Sequence, residues 1–177
     1  MTRAVGLAAL ALLALPACEA GLAPAPGVTA AFAEATTAVP SACGLSEAQL
    51  GPAIDTAAGY VVHDTAPNTV APRTHYITGF ADGCARPVTG ALVMFGDLAT
   101  HETTRYGASA VAYSPTDAAY ERIKSQVCGA GPGQPCGTRL AQLAQDTVFV
   151  SVYPVFGAEG HTDLLLHDGD LVAVDGG

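Results

Sequence analysis

Apolar positions along this chain form three kinds of pattern, and each predicts a different element. The first is an unbroken run from Ala4 to Leu15, with Arg3 in front of it. The second is a set of short stretches rich in β-branched and aromatic residues: Gly59–Thr65 (GYVVHDT), His75–Phe80 (HYITGF) and Val88–Phe95 (VTGALVMF). Their length and composition predict strands. Ala81-Asp82-Gly83 supplies a turn after the second of them. Near the C-terminus, residues 148–156 (VFVSVYPVF) are apolar at odd and even positions alike, which predicts a central strand covered on both faces. TDLLLH and DLVAVD then flank Asp168-Gly169, a dipeptide suited to the positive φ of a hairpin turn.

The third pattern is helical and sits mid-chain. Ser46-Glu47-Ala48-Gln49 matches a capping box that opens a short helix, stopped by Gly51-Pro52. Asp97 is placed to cap LATHETTRY. Ser114-Pro115-Thr116-Asp117 has Ser at the N-cap, Pro at the first helical position and Asp at the third. The helix it starts puts Tyr120, Ile123 and Val127 on one stripe, leaves Glu121, Lys124 and Ser125 outside it, and ends at Cys128-Gly129. A further short helix is predicted over 138–145. Strands joined by hairpins, with helices grouped between them, predict an α+β domain. It would be built on a mostly antiparallel sheet of about six strands. PAS- and profilin-like domains share this order of elements, a likeness of layout with no motif behind it.

The first run sets the domain organisation. Twelve helical residues span roughly 18 Å, short of the ~30 Å hydrocarbon core, so Ala4–Leu15 predicts the apolar region of a secretory signal. It ends in Leu15-Pro16-Ala17-Cys18, which resembles the lipobox of bacterial lipoproteins. The resemblance implies cleavage before Cys18 and its acylation, which anchors the chain to a bacterial membrane once several acyl chains are attached. Residues 19–42 hold nine Ala and three Pro without an apolar stripe, the composition of a tether. A flexible coil of that length spans about 27 Å root-mean-square. The expected division is therefore a signal at 1–17, a lipid-anchored tether at 18–42 and one folded domain at 43–177. The positive mean hydropathy of the chain, +0.33, owes much to the first two of these.

Charge and cysteine content narrow the function classes. Seven Lys+Arg oppose 16 Asp+Glu, a net charge of −9, and Lys124 is the single lysine. A chain this acidic, with no basic run, is no nucleic-acid binder. Apart from Cys18 there are four cysteines, Cys43, Cys84, Cys128 and Cys136, an even number behind an export signal, which predicts two disulfides. The Gly- and Pro-rich loop between 128 and 136 favours Cys128–Cys136, leaving Cys43–Cys84. No C-x₂-C spacing suggests zinc.

Catalytic motifs are missing. There is no GxxxxGK[ST], GxGxxG or GxSxG; Gly107-Ala108-Ser109-Ala110 lacks the closing glycine of a nucleophile elbow, and His101-Glu102 lacks the second histidine of HExxH. Five histidines remain, His63, His75, His101, His161 and His167, three of them near aspartates. A metal or acid–base site requires several of these to converge. The stretch from Thr74 to Gly107 concentrates Tyr, Phe, Arg, His and Gly. Arg73, His75, Tyr76, Arg86 and Arg105 in and beside it are the candidate ligand-binding residues, since an arginine near aromatic rings holds a carboxylate or stacks on a ring. No catalytic residue, metal site or cofactor is expected. The predicted role is a lipid-anchored envelope domain that binds a partner protein or small ligand. The alternatives are an envelope hydrolase or metal enzyme built on His and Asp, or an inhibitor of such a hydrolase.

Overall fold

The computed structural model describes residues 39–107, 112–157 and 159–176. The signal segment, Cys18 and the tether up to residue 38 lie outside these. Among the described residues, eight strands make two four-stranded antiparallel sheets, each a simple meander. The first contains β1 (Ala53–Ala57), β2 (Tyr60–Asp64), β3 (Arg73–Thr78) and β4 (Arg86–Gly90). The second contains β5 (Leu92–Gly96), β6 (Thr147–Tyr153), β7 (Thr162–His167) and β8 (Asp170–Gly176). Helix α1 (Glu47–Leu50) precedes the first sheet. Between β5 and β6 come α2 (Leu98–Gly107), α3 (Pro115–Cys128), a 3₁₀ turn at Gly137–Arg139 and α4 (Leu140–Leu143).

The α+β class holds, with two corrections to the strands. The stretch 88–95 is not one strand but the end of β4 and most of β5, broken at Ala91, where the chain leaves one sheet for the other. Gly90 makes the crossing possible, because a Cβ there would lie 2.9 Å from the Tyr153 carbonyl oxygen. Ala91 N donates to that same carbonyl at 2.8 Å. The second correction is β1, an exposed edge strand with no apolar alternation to announce it. It pairs with β2 across Ala58-Gly59, both at positive φ.

The layers run sheet, sheet, helices. Tyr60, Val62 and Ile77 of the first sheet meet Val93, Val148, Val150, Leu164 and Leu166 of the second. The opposite face of the second sheet, with Phe149, Leu165 and Val172, receives Leu98 of α2, Ala119, Tyr120 and Ile123 of α3, and Leu143 of α4. The second sheet is thus the middle layer, which is why β6 is apolar on both faces. Burying each large apolar side chain here contributes roughly 1.5–3 kcal/mol.

Local signals act as expected. Gln49 Oε1 accepts from Ser46 N at 2.9 Å, Asp97 Oδ1 from Thr100 N at 2.7 Å, and Ser114 Oγ from Asp117 N at 3.1 Å. Gly129 ends α3 in the left-handed conformation, and Asp168-Gly169 turns the β7–β8 hairpin at positive φ. Cys43–Cys84 and Cys128–Cys136 are disulfide-bonded. The packed region begins upstream of Cys43: Ala42 and Ala85 exchange backbone hydrogen bonds at 2.8 Å, and Val39 packs against the inter-sheet core. Among the described residues no helix is long and apolar enough to cross a membrane.

Candidate functional site

Of the five candidate residues, Arg73 and His75 converge on Asp64, and Tyr76, Arg86 and Arg105 do not join them. Arg73 and His75 point between the sheets, where Arg73 Nε donates to Asp64 Oδ1 at 2.7 Å, Nη2 donates to Oδ2, and Nη1 donates to the Ala91 carbonyl at 2.7 Å. Arg73 therefore braces the crossover between sheets. Its hydrogen bonds hold the Asp64 carboxyl below the usual range. Tyr76, next along β3, falls on the opposite face. Arg86 bonds Asp82 at 2.8 Å and lies 4.4 Å from the centre of the Phe80 ring. Arg105, on α2, pairs with Asp117 at 3.4 Å and stacks over Tyr113.

The histidines are equally spread. His63 bonds Gly51 O and Thr78 Oγ1 on the outer face of the first sheet. His75 is buried inside it. His101 stacks on Phe149 beneath α2, His161 bonds Asp163, and His167 bonds Thr147 at 2.8 Å. Among the described residues no three His, Cys, Asp or Glu side chains are grouped to hold a metal ion.

The polar chemistry gathers instead where α2 lies along α3. In ten residues α2 buries only Leu98 and Glu102. One further turn along, the same side presents Tyr106, as the helical repeat requires. Glu102 Oε1 accepts from the Tyr120 hydroxyl at 2.8 Å and from Cys136 N at 2.9 Å; Oε2 lies 3.1 Å from that same N–H. The Tyr106 hydroxyl donates to Glu121 Oε1 and accepts from Lys124 Nζ at 2.7 Å. Lys124 Nζ also donates to Glu121 Oε2 at 2.7 Å, and Gly133 N donates to that oxygen at 3.2 Å. Lys124 is thus a core residue, wholly buried, and not part of a solvated face. The aliphatic stem lets it cross the helix interface and reach Tyr106.

This environment sets protonation. Burial, reinforced by a carboxylate acceptor, pushes the phenols of Tyr106 and Tyr120 well above their ordinary range, so both remain hydrogen-bond donors. Burial works to raise the Glu121 carboxyl, but hydrogen bonds from Lys124, Tyr106 and Gly133 outweigh it and hold the group ionised. Burial lowers His101 in spite of Asp117 nearby.

Glu102 also lines an open cleft of about 340 Å³, together with Ala99, Thr103, Tyr106, Pro135 and Leu140. The cleft lies against the ring closed by Cys128–Cys136, which is tied down through Cys136 N and Gly133 N. A hollow of about 550 Å³ beside α1 and His63, and another of about 240 Å³ at Val39 and Val88, have no buried charged group in their walls. The α2 cleft is therefore the candidate site, with a buried acidic residue in an otherwise mainly apolar lining. Sequence reasoning had one signal for it: polar residues at 102 and 106 spaced as a buried stripe on a helix whose only aliphatic anchor is Leu98. No protein-family model matches the chain, and neither a curated protein nor a solved structure is significantly similar to it.

Proposed function

We propose that this chain is an exported, lipid-anchored domain of the bacterial cell envelope, facing the periplasm, that works by binding a partner protein or small ligand at the α2 cleft. The observation that carries the reading is the cysteine pattern. Cys43, Cys84, Cys128 and Cys136 are all consumed in two disulfides, which suits an oxidising compartment and leaves Cys18 as the one cysteine for acylation. The cleft supports the binding role, because its carboxylate and walls belong to a disulfide-braced frame. The hydrolase or metal-enzyme reading draws on histidines that pair singly with aspartates but lie apart from one another in the fold, and no particular observation favours an inhibitor.

Cell fractionation tests the anchor. In a bacterial host the full chain is expected in the membrane fraction and Cys18→Ser in the soluble fraction. If Cys18→Ser sediments with membranes as the unaltered chain does, the anchor reading fails.

A further inference from the structure

Resting on the reading of the α2 cleft as a binding site, we propose that its ligand carries a primary ammonium group that pairs with the Glu102 carboxylate. Every other strongly buried charge in the described fold has a counter-charge. Asp64 has Arg73, Arg86 has Asp82, and Lys124 has Glu121. Glu102 is 5 % exposed, and no Lys, Arg or His of the described residues forms a salt bridge with it. A buried carboxylate without a counter-charge is unfavourable, so a cation entering beside it relieves a cost already present in the free protein.

The geometry leaves room for one more donor. Oε1 accepts from both Tyr120 and Cys136 N, whereas Oε2 accepts only the longer leg of the Cys136 contact, at 3.1 Å. A carboxylate oxygen accepts about two hydrogen bonds, so Oε2 has capacity that no donor among the described residues uses. Lys124 does not supply it, since its ammonium is held by Tyr106 and Glu121. The rest of the cleft suits a short apolar body: Ala99, Pro135, Leu140 and the Tyr106 ring form most of the wall. Its volume of about 340 Å³ is at the small end for small-molecule sites. An anion would meet Glu102 with its own charge, and a neutral ligand would leave the carboxylate uncompensated.

Three compounds of one shape separate the possibilities: cyclohexylamine, cyclohexanol and cyclohexanecarboxylate. Each is titrated into the ¹⁵N-labelled full chain in detergent micelles while amide shifts are followed. Cyclohexylamine is expected to shift the amides of Ala99, Thr103 and Gly137 and to bind about tenfold or more tightly than cyclohexanol, with no binding of the carboxylate. Glu102→Gln keeps an acceptor oxygen for Tyr120 and Cys136 N and is expected to abolish the preference for the amine. Ala99→Leu, at an exposed helical position, fills the cleft mouth without touching those bonds and is expected to abolish binding even if Glu102→Gln fails to fold. Equal binding of all three compounds overturns the ammonium inference and leaves the cleft as a binding site. No shift with any of them overturns both, and undiminished amine binding by Ala99→Leu overturns the placement. Tighter binding of N-acetyl-Gly-Lys-Gly-amide at the same amides supports the ammonium pairing and assigns the group to a partner protein's lysine.

Discussion

His75 stands directly across from Asp64 in the β2–β3 ladder, its Nε2 3.5 Å from Asp64 Oδ2, with both side chains buried between the sheets. The two attract, but neither ring nitrogen of His75 makes a hydrogen bond. Arg73 takes the strong bonds to the carboxylate. Burial therefore wins over Asp64, and the imidazole is held below its ordinary 6.5.

Stability should fall on mild acidification. His75 and His101 are both lowered by burial, so as the pH drops below about 6.5 the unfolded chain takes up protons that the folded chain refuses. Their contribution is complete above 6.5 and is lost as the pH falls toward their folded values. Asp64, held low chiefly by Arg73, adds a second loss below its ordinary 3.8. Urea unfolding midpoints between pH 5 and 8 check the first limb, which His75→Gln should flatten in part. A midpoint constant over that range would contradict the burial of the two imidazoles.

Arg73→Leu should destabilise the fold by about 3 kcal/mol or more, because it leaves the Asp64 carboxylate buried without its cation. Arg73→Lys should recover little. One ammonium does not reproduce the guanidinium fork, which bonds both carboxylate oxygens and the Ala91 carbonyl. Denaturant titration of both variants, of Asp64→Asn and of the Asp64→Asn, Arg73→Leu double variant measures the coupling. Additive losses would show that the pair is not a unit.

Removing Cys128–Cys136, which closes a ring of sequence separation 8, should cost about 2.5 kcal/mol on the loop-entropy model. Removing Cys43–Cys84, with separation 41, should cost about 4 kcal/mol. Peptide mapping without reductant should recover these two cross-links; a Cys43–Cys128 or Cys84–Cys136 peptide would refute the pairing.

Tyr120→Phe removes the hydroxyl donor to Glu102 and should cost about 1.5–3 kcal/mol, the range for a hydrogen bond to a charged group. Thermal melts of Tyr120→Phe and of the exposed-site control Thr104→Ala make the comparison. Equal melting temperatures would mean that the hydroxyl contributes nothing to holding Glu102.

Local chemistry in the sequence settled much of this protein. Ser114-Pro115-Asp117 caps α3, Asp168-Gly169 turns the last hairpin, the evenly apolar β6 lies in a layer covered on both sides, and the Gly/Pro loop closes on its own disulfide. Each depends on residues close together along the chain, or on a pattern that reports burial regardless of what does the burying. Tertiary structure alone decided the break at Ala91, the edge strand β1, the burial of Lys124 and the cleft at Glu102. Periodicity says which side of an element turns inward, not what it meets there. A lysine four residues from Tyr120 reads as solvated until Tyr106, 18 residues upstream, is seen to accept its hydrogen bond. Glu102 takes its meaning from Cys136, 34 residues away, whose backbone N–H donates to it.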